Sequence, residues 1–276
     1  MGQSVHLLLF HESEASGFEA AQAALAELRR VEARLSLFDA ASDLVELNRL
    51  AGRRAMRAGG DLLAVLLAAE RFRVGSGGAF NVAVEPLMRV WGFHGSRHRE
   101  PDAKELTEAR AAVQAAEVLI AGDRVTLPAG HTRLDLGGIA VGYGLDRAAA
   151  VLRAHGVGRA LLDMSGDILA IGAPPGRPGW EVEVADPRNP GGSVDAVHLR
   201  DRALATSANT VSVVRVGGVL RGHVMNPASG YPADRLLQAT VVASSGIAAD
   251  ALSTGMLVAG GVLPGVERSW VIGHGL

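Results

Sequence analysis

Apolar residues recur along this chain in two periods, and the switches between them predict its elements. Across residues 17–35, Phe18, Ala21, Leu25, Leu28, Val31 and Leu35 fall on one stripe with helical spacing. A second helix, DLLAVLLAAERFRV, begins at Asp61, which can cap it, and stops at Gly75. GLDRAAAVLRAHG is a third, closed by Gly156, and IAADALSTGMLVAG is a fourth. Strands are predicted over residues 3–10, over RALLDM and DILAIG on either side of Ser165-Gly166, and over WEVEVADP, which alternates cleanly up to Pro187. LLQATVVAS and RSWVIG are two more, and VSVVRVGGVLRGHV predicts a hairpin around Gly217-Gly218. SGGAFNVAVEPLMRVWGF holds a glycine turn, a short apolar segment and two aromatics, and the polar residues 95–112 predict a surface excursion. Strands and helices are interspersed and at least one hairpin is present. That predicts an α+β fold with mixed, largely antiparallel sheets and packed helices, not a doubly wound parallel sheet. With no repeat and no low-complexity linker, the expectation is one domain over residues 1–276, with two intimate subdomains as the alternative.

Composition acts mainly by exclusion. The chain has 276 residues, 48% of them hydrophobic and 20% charged, which is enough for a sizeable core. A formal net charge of -2 leaves no electrostatic footprint for nucleic acid. No apolar run reaches membrane-span length, so an integral membrane protein is not expected. The absence of cysteine excludes disulfides, thiolate catalysis and cysteine metal sites. No leader is visible at MGQSVHLLLF.

Candidate chemistry starts at RLDLGGIAVGYGLDRAAAVLRAHG, where glycines and an aspartate separate an apolar run from a helix. Such a corner suits a backbone that must come close to a ligand. GGIAVG has the glycine spacing that begins a P-loop, but Tyr143-Gly144 stands where Lys and Ser/Thr belong. Arg147 falls where a dinucleotide fingerprint needs its third glycine, and no G-x-S-x-G elbow exists. His94 and His98 are four apart, but the central glycine of HGSRH favours a solvated loop over a metal pair. In AADALSTG, Asp250 and Thr254 share one helix face and offer hard oxygens suited to Mg²⁺. The competing reading is an acid near a helix start and a threonine bonded to its own turn. His223, between a strand and an Asn-Pro turn, is either a proton acceptor or a solvated edge residue.

Taken in order, these segments resemble the ApbE family of FAD:protein FMN transferases over almost the whole chain. MGQSV resembles the family's opening Met-Gly-Thr. SLFDAASDLVELN, ending at Asn48, resembles its Ser-x-aromatic…Leu-Asn segment. GGAFNVAVEPLMRVWGF, LDLGGIAVGYGLDRA, DMSGDILAIG, ALATSAN, HVMNPASGYP and AADALSTGMLVAG resemble six further family segments in the family's order.

The resemblance implies an ApbE-like fold and an Mg²⁺-dependent transferase. It would move the FMN part of FAD onto a Thr or Ser hydroxyl of a partner flavoprotein and release AMP. It implies Mg²⁺ held by the Ala140 carbonyl, Asp250 and Thr254, with His223 as base and Asp167 as the alternative base. The implied FAD-binding residues are Asn48, Phe80, Gly137, Gly138, Tyr143, Asp167, Thr206, Ser207 and His223. An FAD-binding protein without transfer, and an Mg²⁺-dependent FAD pyrophosphatase, are the alternatives. Relatives are commonly exported, which implies a periplasmic protein if a leader has been removed and a cytoplasmic one otherwise. Departures are also clear: Val141 replaces a lysine, Asn81 and Asn226 replace aspartates, and Ser165 and Ala208 replace glycines. With the lysine gone, Arg147 and Arg221 are the candidate cations to take its place.

Overall fold

A computed structural model describes residues 4–95, 98–210 and 213–274. The chain opens with β1 (Val5–Phe10), α1 (Glu14–Leu35), α2 (Asp43–Leu50), β2 (Met56–Arg57) and α3 (Gly60–Gly75). A 3-10 turn at Val82–Val84 leads into α4 (Glu85–Val90), then α5 (Ala103–Gln114), β3 (Leu119–Ala121) and β4 (Arg124–Thr126). Next come α6 (Ala140–Ala154), β5 (Arg159–Met164), β6 (Asp167–Ile171), β7 (Trp180–Ala185), β8 (Ser193–Leu199) and β9 (Arg202–Ala208). The chain closes with β10 (Val214–Val216), β11 (Val219–Arg221), β12 (Leu236–Ala243), α7 (Gly246–Ala259) and β13 (Arg268–Gly273).

Six strands form the main sheet in the order β1-β5-β6-β9-β12-β13, and every neighbouring pair is antiparallel. The α+β expectation therefore holds. Helices α1, α6 and α7 cover one face, where Ala20, Leu28, Leu145, Leu152 and Ala249 meet Ala160, Leu162 and Ala203 of the strands. The β7–β8 hairpin covers part of the other face. Its burial alternates strictly along β7, so Trp180, Val182 and Val184 pack on Ala170 and Leu204. A smaller sheet, β2-β4-β3, packs with α2 and α3 around Leu44, Leu62, Leu66 and Val125.

The α6–α7 contact decides where the site lies. Gly142 and Gly246 touch there, and a Cβ on Gly142 would stand 2.1 Å from the Gly246 carbonyl oxygen. Only residues without a side chain permit this approach. Neither helix has a side-chain cap of its own at its N-terminus, and each receives a carboxylate from the other. Asp146 of α6 accepts the amides of Gly246 (2.7 Å) and Ile247 (2.9 Å). Asp250 of α7 accepts the Gly142 amide at 3.0 Å. The same pattern, Gly-x-x-x-Asp, occurs in both helices and satisfies the orphan donors of both.

Three expectations need correction. The polar 95–112 stretch is not a bare excursion. Asp102 and Glu105 form a capping box that starts α5, which buries Ala109 and Val113 against Leu87 and Trp91. The stripe on α1 is displaced in its first half: Gly17, Ala20 and Ala24 are buried while Phe18 is 65% exposed. Small residues there let the helix lie close to the sheet. Finally, α6 starts at Ala140 instead of Gly144, so Gly142 and Gly144 are helical residues chosen for space, not for a bend. The hairpin around Gly217-Gly218 pairs as expected through Val214–Val216 and Val219–Arg221; Val211 and Ser212 lie outside the described residues.

Candidate active site

A cavity of about 820 Å³ opens between the sheet, α7 and the segment that follows α3. One wall is built from the ends of β6 and β9 and from α7. Asp167, Ser207, Asp250 and Thr254 line it, and His223 faces the same cavity. The helical spacing of Asp250 and Thr254 does place both on the cavity side.

This wall holds its oxygens together with few donors. Ser207 Oγ lies 3.1 Å from Thr254 Oγ1 and 2.9 Å from Ser253 Oγ, and Ser253 donates to the Asp250 carbonyl. Thr206 Oγ1 is 2.9 Å from Thr240 Oγ1. Asp250 is buried, and burial together with the nearby Asp167 charge pushes its carboxyl well above the usual range, against the amides of Gly142 and Val141. Burial likewise raises Asp167, helped by Asp163 and opposed by the Thr206 amide. Buried Asp250 and half-buried Asp167, close together with no lysine or arginine lining the cavity among the described residues, are costly when both are ionised. Such an arrangement favours an incoming positive charge.

The opposite wall has a different composition. His94 Nε2 lies 2.9 Å from Asp135 Oδ2, and Nδ1 is 3.8 Å from Glu85 Oε1. Burial opposes charge on this ring, but its hydrogen bond to Asp135 and the nearby Glu85 carboxylate outweigh it and hold its pKa up to about 9. The solvated-loop reading of His94 is therefore wrong: its side chain is 15% exposed, and both His94 and His98 line the cavity. Sequence reasoning missed this wall because residues 85, 94 and 135 meet only in the fold. The aspartate within LDLGG was the one available signal.

The other sequence candidates divide into two groups. Phe80, Gly137, Gly138, Thr206 and Ser207 line the cavity, and Gly138 lies so close to Thr254 that a Cβ would stand 2.9 Å from its Oγ1. Asn48, Ala140 and Tyr143 do not line it. Asn48 is buried and bonds both backbone groups of Leu134, at 2.9 and 2.8 Å. Tyr143 donates to Asp61 at 2.8 Å, within a cluster with Arg30 and Glu27. Ala140 starts α6 and belongs to the core beneath the corner.

Three of the departures, Asn81, Asn226 and Val141, have a clear place in the structure. Asn81 accepts the Ala83 amide at 2.8 Å, and Asn226 accepts those of Ala228 and Ser229. An asparagine keeps these acceptor roles and loses only charge. Val141 lines the cavity and packs on the core. Among the described residues no lysine or arginine lines the cavity. Arg147 is engaged with Glu27 at 3.0 Å, and Arg221 stands outside the lining, so neither replaces the lysine.

This sequence matches the ApbE family over residues 1–263. A Klebsiella pneumoniae protein named FAD:protein FMN transferase is 28% identical over 252 residues, which make up 89% of this chain and 75% of that one. A Treponema pallidum protein of the same name is 33% identical over 238 residues, 79% of this chain and 65% of that one. Among solved structures, the ApbE protein of Thermotoga maritima superposes with a TM-score of 0.86 at 29% identity, covering 94% of this chain and 84% of that one. The Pseudomonas stutzeri flavinyl transferase ApbE gives 0.79 at 26% identity, covering 93% and 85%. No helix among the described residues is long and apolar enough to cross a membrane. With sequence and fold in agreement over nearly its full length, the chain belongs to the ApbE family.

Proposed function

We propose that this chain is an Mg²⁺-dependent transferase that moves the FMN part of FAD to a Thr or Ser hydroxyl of a partner flavoprotein and releases AMP. The observation that carries this reading is the meeting of Asp167, Asp250, Ser207, Thr254 and His223 on one cofactor-sized cavity. Membership of the ApbE family, and the names of its relatives, support the flavin transfer itself.

The residues fit the metal. Buried Asp250 and half-buried Asp167, both with raised pKa values, and the Thr254 hydroxyl are hard oxygen donors on the cavity. An ion of this kind is commonly held by one or two carboxylates and keeps several waters. When bound, Mg²⁺ would neutralise charge on the pyrophosphate oxygens.

The chain's own residues supply the remainder. The acceptor hydroxyl attacks the FMN phosphorus, a new P–O bond forms, and the bond to the AMP oxygen breaks. A ring nitrogen of His223 takes the hydroxyl proton. Phe80, with Gly137 and Gly138, bounds the space for the nucleotide, and Asn48 supports it from outside through the Leu134 backbone. Phosphoryl transfer needs positioning and charge compensation more than covalent help.

Incubation with FAD, Mg²⁺ and a threonine-bearing flavoprotein separates the readings. Covalent flavin on the acceptor together with AMP is the expected outcome. Free FMN with AMP would make the protein a pyrophosphatase, and unchanged FAD would make it a binding protein.

A further inference from the structure

The Glu85–His94–Asp135 cluster has no part in the transfer described above, but it is connected to the residues that do. Phe38 meets the His94 ring edge-on, with 5.8 Å between centroids. Glu85 is paired behind with Arg89. Asp135 turns Oδ2 to His94 and accepts the Gly137 amide on Oδ1 at 2.8 Å. Its own amide donates to the Val82 carbonyl at 2.7 Å. The next glycine, Gly138, lies directly against the Thr254 hydroxyl. A continuous path of contacts thus runs from α4 through His94, Asp135 and Gly137 to the oxygen-rich wall.

A Gly-Gly corner has no side chains with which to hold its own shape. Its geometry must come from bonds made to it, and the Asp135 carboxylate makes one. A carboxylate free to rotate would hold the corner poorly, whereas one hydrogen-bonded to a half-buried histidine is held in place. We infer that His94 is a positioning residue: through Asp135 it fixes the Gly137–Gly138 corner against Thr254 and thereby shapes the cavity for the flavin nucleotide. The nucleotide part of this inference rests on the proposed function. The groups facing His94 are Asp135, Glu85 and Phe38, with Arg89 behind Glu85. The two carboxylates keep the ring a donor to Asp135 through neutral pH.

The test compares His94→Phe, which keeps a ring beside Phe38 but removes the donor, with His94→Gln, which keeps an N–H. Hydrogen exchange of the ligand-free protein reads the corner directly, and tryptophan fluorescence reads FAD affinity. In His94→Phe, amide exchange across residues 136–139 is expected to speed up about tenfold and FAD binding to weaken about tenfold. His94→Gln is expected to recover most of both. A His94→Phe protein with a lower melting temperature but unchanged exchange at the corner would overturn the inference, because the histidine would then be packing alone. If that variant does not fold, Asp135→Asn examines the same bond from the other side. It keeps an acceptor for Gly137 and loses the anion facing His94, and unchanged corner exchange there would overturn the inference equally. Wild-type protein that binds no FAD would count against the proposed function, and the exchange result would still decide the role of His94.

Discussion

The two walls of the cavity use the same carboxylate chemistry to opposite effect. On one side Asp167 and Asp250 face each other with hydroxyls for company, and burial drives both carboxyls up. On the other side Glu85 is as buried as Asp250, yet its carboxyl is lowered. Burial raises it, but the nearby His94 and the hydrogen-bonded Arg89 outweigh that effect. Among the described residues, the clearest difference between the walls is the pair of cationic groups, His94 and Arg89, beside Glu85. A wall that carries its own cation is a finished structural unit. The acid pair of the other wall is the feature on which the proposed Mg²⁺ site rests.

The largest effect should come from changing the unfinished wall. Asp250→Asn keeps the shape but removes a charged donor, and Mg²⁺-dependent turnover should fall by about 10³-fold or more, the several kcal/mol of a lost transition-state charge contact. The sign of the stability change is opposite. An acid whose folded pKa lies above its unfolded value costs stability once pH exceeds the unfolded value, so the metal-free variant should melt higher than wild type at pH 7. Steady-state kinetics and melting with and without Mg²⁺ check both. A variant that melts lower in the absence of metal would mean that the acid pair is not held at a cost.

His223→Ala should come next. Loss of a general base slows transfer by about 10²–10⁴-fold while leaving FAD affinity nearly unchanged. Single-turnover transfer and an FAD titration, measured on the same preparation, separate the two. A large loss of affinity at unchanged rate would make His223 a binding residue.

The finished wall makes a smaller, pH-dependent prediction. His94 has a folded pKa of about 9 against an ordinary value of 6.5. Its charge therefore contributes stability in full below about pH 6.5, and that contribution is lost as pH rises toward 9. The melting-temperature gap between wild type and His94→Gln should shrink across that window. A gap that stays constant from pH 6 to 9.5 would show that the imidazolium charge is not what the two carboxylates hold.

The smallest effect concerns Ser165, on the turn that joins β5 to β6 beside the unfinished wall. Its φ of 56° lies in the left-handed region, and its side chain faces the cavity. Ser165→Gly removes a strain of about 1 kcal/mol, offset in part by the freer unfolded glycine, and should raise the melting temperature slightly. Thermal denaturation checks it, and a lower value would mean that the hydroxyl makes a stabilising contact.

Read alone, the sequence determined much of this. Period and punctuation located α3, α7, the hairpin at Gly217-Gly218 and most strands of the main sheet, because each carries its pattern within a few consecutive residues. It also placed Asp250 and Thr254 on one face, since helical spacing is a local property. Tertiary structure decided what depends on two distant segments meeting. That includes the reason for Gly142, which is the backbone of Gly246 pressed against it, and the burial that raises Asp250. It includes Asn48 and Tyr143, whose polar atoms are committed to Leu134 and Asp61 instead of lining the cavity. It also includes the whole His94 wall. A histidine in HGSRH carries no sign of its partners, because proton affinity is set by which charges lie within a few ångströms, and only the folded chain brings residues 85 and 135 to residue 94.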